Sequence, residues 1–369
     1  RHTYEDVQTI ADHRHWVGDT PHGGNLRSDA AGGGHAHCGA LIYQGDRFPD
    51  AYRGKILFNN IHGNRVNVDR LQRFGSGFVG SHEPDFLLAN DQWFRGINLE
   101  SGPDGSVFLI DWYDERACHS NDVEIWNRGN GRIYRVSYGA YWLPDVDLRA
   151  MSSERLVGMQ LHPDEWWVRR ARLVLQERGP DERVHGLLGE ILSTHPDAGR
   201  RLRALWALHV TGGATWDALD RAFHDEDEYV RAWAVQLAVE RGIEMVPEGL
   251  TLMDDMRKPP PPEIAYMRMW QIAVHDPSPV ARLYVASALQ RLPRPDFGLA
   301  SALLQHGEDA ADPNLPLVLW YGIEPWVAQD PPEALELARH SKIEKVARFV
   351  VRRLAAEPVA HAALVHALR

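Results

Sequence analysis

Cysteine is scarce in this sequence: Cys38 and Cys118 are the only two among 369 residues, a number that fits either redox compartment. No apolar run approaches the roughly 18 residues of a membrane span, so no segment is expected to cross a bilayer. Residues 1–15 lack the apolar stretch of a signal peptide. They read as the middle of a longer polypeptide, so the chain is expected to be an internal fragment. Positive charge is also in short supply. The net charge of −11 argues against nucleic-acid partners, whose phosphates require a basic surface. What remains is an ordinary globular composition, 44% hydrophobic and 25% charged, in a chain long enough for two or three domains.

Glycine divides the chain. Residues 1–140 hold 19 of the 31 glycines and both cysteines. Their apolar segments, "KILFNNI", "SVFLIDWY" and "GRIYRVSY", are of strand length, and "GPDGS" at 102–106 is a turn. Antiparallel β-structure is expected over about 16–140. From residue 150 the period changes to three and four. "WWVRRARLVLQERG", "YVRAWAVQLAVERG" and "VARLYVASALQRLP" are amphipathic helices that resemble one another. His162, His224 and His275 are each followed seven residues later by Arg169, Arg231 and Arg282. The histidines are expected in turns and the arginines as bridges between neighbouring units. Asp164, Asp225 and Asp276 are placed to cap helix N-termini. The pattern resembles HEAT repeats, stacked helical pairs with a continuous core.

The segments between residues 54 and 139 read "RGKILFNNIHGNRVNVDRL", "DFLLANDQWFRGINLESGPDGSVFLIDWYD" and "NGRIYRVSYG". The last two resemble the closing blades of the glucose/sorbosone dehydrogenase type of six-bladed β-propeller. Together with "HWVGDTPHGGN", "GGGHAHCG", "DWYDERACH" and "ADPNLPLVLWYGIEPW", they make the chain similar to the PVC-type haem-binding CxxCH family of membrane-bound dehydrogenases. The resemblance implies a multidomain fold. Residues 1–145 would be about three propeller blades of four strands each, and residues 150–369 a HEAT-like α-helical solenoid. No C-x-x-C-H is present, so no c-type haem attaches through that motif within this sequence.

The same resemblance implies an extracytoplasmic, periplasmic quinoprotein oxidising a sugar or polyol. Pyrroloquinoline quinone (PQQ) and calcium would be its cofactors, and a c-type cytochrome domain outside this sequence its electron acceptor. A general base, cations for an anionic quinone and hard oxygens for calcium are then required. His62, Arg65 and Arg95 are the catalytic candidates. His35, His37, Trp93, Asp111 and Asp114 are candidates for cofactor or substrate. His35 and His37 lie on one face if their segment is a strand, with His22 as a third metal ligand; the alternative is a glycine turn with hydrogen-bonded histidines. Asp111 and Arg95 also have structural readings, as a turn anchor and an ion-pair member, and Trp93 as core. Cys38 and Cys118 are either a disulfide or two free thiols. A second function fits the same features: a non-catalytic scaffold binding glycans or protein partners.

Overall fold

Inward-facing apolar residues alternate with outward ones along the strands, and this alternation builds the first half of the molecule. Along Val107–Asp111, Val107, Leu109 and Asp111 are buried while Ile110 faces out. The structure is a computed structural model. It describes residues 15–17, 20–22, 36–116, 127, 129–139, 145–243, 262–292, 296–361 and 364–365. Two short strands, β1 (His15–Val17) and β2 (Thr20–His22), pair as a ribbon. A four-stranded antiparallel sheet follows in the order β3 (His37–Ile42), β4 (Ile56–Asn60), β5 (Arg65–Phe74) and β6 (Gly77–Leu88). A three-stranded sheet then runs β7 (Gly96–Ser101), β8 (Val107–Asp111) and β9 (Arg132–Val136).

These sheets correct the propeller expected over residues 1–145. Neither sheet closes, and among the described residues no ring of four-stranded blades is formed. Strand β9 ends its sheet with Ile133 and Tyr134 turned outward. The two sheets pack through β3, β4 and β7 around Tyr43, Leu57, Val66, Leu99, Val107 and Leu109. Their approach is close at Gly39. Its φ is +61°, and an added Cβ would lie 2.5 Å from Cα of Asn98, so only glycine fits.

Twelve α-helices are described in the second half. They are α1 (Ser153–Gly158), α2 (Glu165–Arg178), α3 (Glu182–Thr194), α4 (Ala198–Val210), α5 (Trp216–Phe223), α6 (Glu228–Ile243), α7 (Pro262–His275), α8 (Pro279–Ala288), α9 (Phe297–Leu304), α10 (Leu315–Val327), α11 (Pro331–His340) and α12 (Glu344–Ala355). The chain divides into two compact units. One holds the sheets and the helical residues up to Val174; the other holds the helices from Leu175 onward together with Arg73–Phe78.

Within the helical unit, arginines repeat one device. Arg231 makes a two-pronged bridge to Asp276 (2.6 and 2.8 Å), and Arg282 makes one to Asp309 (2.7 and 2.6 Å). Each also donates to a carbonyl six residues before it, Asp225 and Asp276 respectively. Arg201, from a helix lacking the full sequence signature, does the same with Asp225 (2.8 and 2.7 Å). Arg169 departs from the expected pattern: it is largely exposed and, among the described residues, pairs with Glu165 at 3.5 Å. Two of the three histidines, His162 and His224, lie outside the helices, while His275 is the last residue of α7. Nδ1 of His162 accepts from the N–H of Asp164, and Nδ1 of His224 lies 2.7 Å from the carbonyl of Asp220.

Candidate functional site

The sequence "DWYDER" leaves the end of β8, and two aspartates shape its course. Asp111 is fully buried. Its Oδ1 accepts the backbone N–H groups of Arg95 (2.7 Å) and Tyr113 (2.9 Å). This local bond holds Tyr113 at φ +55°, a left-handed conformation uncommon outside glycine. Asp114 repeats the device: Oδ1 accepts from Arg116 and Oδ2 from Asn127, at 2.9 and 2.8 Å. The second of these bonds brings Asn127, thirteen residues away, back to the strand end. Antiparallel register then places Arg132 of β9 opposite Asp111. Its guanidinium carbon stands 3.3 Å from the centre of the Tyr113 ring.

A shallow pocket of about 300 Å³ results, walled by Asp111, Trp112, Asn127 and Arg132 between Ile110 and Ile133. Trp112 is 51% exposed and offers an apolar face. The Oδ2 atom of Asp111 is buried without a hydrogen-bond partner. Burial pushes the Asp111 carboxyl above its ordinary range, while its two backbone donors and the charge of Arg132 pull the other way.

The remaining candidates are not among the residues that line this pocket. The guanidinium of Arg95 donates to the carbonyls of Phe94 (3.0 Å), Ile61 (3.3 Å) and Glu115 (3.0 Å). Arg95 thereby ties the β4–β5 turn, which carries His62, to the DWYD loop. His62 itself is buried. Arg65 pairs with Asp85 at 3.0 Å. Trp93 is half-buried, its ring 5.6 Å from that of Tyr113. His37 is exposed and stands edge-on to Phe58. His35, the side chain of His22, and Cys118 lie outside what is described. Cys38 is a free thiol that donates to the carbonyl of Gly96 (3.5 Å), and its expected pairing with Cys118 falls outside the described residues.

Calcium does not fit the two aspartates. Three of their four carboxylate oxygens accept backbone N–H groups, and the one left is far from the six to eight oxygens that calcium takes. Among the described residues no group of three or more His, Cys, Asp or Glu side chains could hold a metal. Nor do Arg65 and Arg95 fit an anionic quinone, since a carboxylate and backbone carbonyls already occupy them. Trp112, Asn127 and Arg132 were not singled out from sequence. Trp112 and Arg132 stand inside the quoted motifs "DWYD" and "GRIYR", but only strand register joins them.

A second, larger cavity of about 650 Å³ lies in the same unit, with Asp46, Arg47, Asp104, His162 and Trp167 in its walls. Asp104 is already paired with Arg135 and Ser106.

Residues 3–140 match the model of a family described as a domain of unknown function (DUF7133). No curated protein and no solved structure matches the chain.

Proposed function

We propose that the pocket beside Asp111 receives a sugar or polyol, and that the chain is the substrate-recognising part of an extracytoplasmic dehydrogenase. The observation that carries this reading is the pocket at the end of β8, where the exposed ring of Trp112 stands with Asn127 and Arg132. Trp112 supplies an apolar face for a sugar ring, and Asn127 and Arg132 supply further polar groups. The dehydrogenase part of the reading rests on the sequence resemblance. No redox step is assigned to these residues. Electrons would pass to a c-type haem partner, as the resemblance implies. No described helix is long and apolar enough to cross a membrane.

The reading is tested by titrating the chain with a panel of aldoses and polyols, following heat, and repeating with Trp112→Ala. Saturable binding weakened in the variant supports it; absence of binding across the panel rejects it. Dye reduction on addition of PQQ and calcium separates dehydrogenase from binding scaffold. The scaffold reading is favoured by the engagement of Arg65 and Arg95. Binding without turnover would select it.

A further inference from the structure

Asp164, Asp225 and Asp276 stand at equivalent places ahead of helices, and one of them lacks the partner that the other two have. Each accepts the N–H two residues on, from Trp166, Asp227 and Ser278 (2.8, 2.8 and 2.9 Å). Asp225 also takes both prongs of Arg201, and Asp276 both prongs of Arg231. Asp164 has no such arginine among the described residues. It is buried, and its Oδ2 has no hydrogen-bond partner. The groups facing it are Tyr43 and Asp46 from the segment after β3, Arg53, and His162 and Glu165 of its own turn. Arg53 is near enough for its charge to be felt, but its Nη1 and Nη2 donate to the carbonyls of Gly45 (2.8 Å) and Pro163 (2.6 Å). The N–H of Glu165 donates to the carbonyl of Gln44 (3.2 Å). Together these bonds fasten the turn 162–167 to residues 44–46. His162 and Trp167 on one side of the fastening, and Asp46 and Arg47 on the other, wall the 650 Å³ cavity.

A buried carboxylate without a counter-ion is costly, whereas the neutral acid is tolerated. Burial accordingly lifts the Asp164 carboxyl to about 6. On ionising, it repels Asp46 and Glu165, and it offers Arg53 a charged acceptor in place of two neutral carbonyls. Both effects work against the fastening. We infer that the turn 162–167 is a proton-operated latch on this cavity, held against residues 44–46 while Asp164 is protonated and released when it ionises.

The test is hydrogen exchange of the full 369-residue chain, read by mass spectrometry over residues 162–167 and corrected for the intrinsic effect of pH. The closed turn binds the proton more tightly than the open one, so protection there should fall about tenfold between about pH 5 and about pH 8. Protection over α6 and α8 should stay level. Peroxide oxidation of Met159, in the cavity wall, should speed up over the same range. Asp164→Asn should hold protection flat. Asp46→Asn removes one repelling charge and should move the midpoint to lower pH. A fall that persists in Asp164→Asn, a fall shared by α6 and α8, or a midpoint unmoved in Asp46→Asn overturns the latch, as does protection independent of pH in the wild type. Met159 oxidation that ignores pH overturns its hold on the cavity.

Discussion

Replacing Asp164 by asparagine should remove a pH dependence of stability that this one carboxyl imposes. Asp164 is 1% exposed. Its Oδ1 accepts the N–H of Trp166 at 2.8 Å, capping α2, while its Oδ2 is buried without a partner. Burial is the main cause that drives this carboxyl from its ordinary 3.8 up to about 6. Asp46 and Glu165 push in the same direction, and the Trp166 N–H and Arg53 oppose them. The sign is opposite to that of a salt-bridged aspartate. A raised acid binds its proton more tightly when folded, so its stabilising effect is complete below 3.8 and is lost as pH rises to about 6. At about 1.4 kcal/mol per pKa unit, the loss is roughly 3 kcal/mol, most of it between about pH 4 and pH 7. Asparagine caps a helix as well as aspartate and keeps the Oδ1 acceptor, but it carries no charge. Urea unfolding of both proteins across this range, read by tryptophan fluorescence, measures the effect. Relative to wild type, Asp164→Asn should gain about 2–3 kcal/mol on going from about pH 4 to pH 7. Parallel stability profiles would show that the folded carboxyl titrates near its ordinary value, and the burial reasoning would fail.

Arg282→Ala should cost about 3–5 kcal/mol in urea unfolding, because it leaves the buried Asp309 charge without its partner. Arg169→Ala, at an exposed pair, should change stability by no more than about 0.5 kcal/mol. Gly39→Ala should destabilise by more than about 1 kcal/mol in thermal unfolding, because the site combines a left-handed φ with backbone at 2.5 Å. Trp112→Ala should lower affinity for a bound sugar about fivefold, near 1 kcal/mol of ring contact, with thermal unfolding unchanged. An unchanged binding constant would remove Trp112 from the site.

The sequence located the turns more reliably than the partners. "DWYD" was legible as the end of a strand whose aspartates have a job, and Asp111 does hold a turn through the N–H groups of Arg95 and Tyr113. Bridging by Arg231 and Arg282 was legible from their repeated spacing. Arg201 was not, because its helix lacks the signature histidine and valine spacing although its bridge to Asp225 is the same. The resemblance to propeller blades misled, because strand-length segments separated by turns are shared by every antiparallel architecture. Alternation fixes which face of a strand is buried and says nothing about whether a sheet closes.

Local chemistry, then, was determined by the chain alone: where strands give way to helices, where glycine permits a turn, and which carboxylates can cap backbone donors. These depend on residues within a few positions of one another, so they can be read along the sequence. The tertiary structure decided the rest. It left the two sheets open, turned Arg95 onto the carbonyls of Ile61 and Glu115, and set Arg132 across from Asp111 with Asn127 folded in beside them. Those juxtapositions depend on strand register and on bonds between residues thirteen to thirty-four positions apart. No local pattern encodes them, because their energy is gained only when distant segments pack.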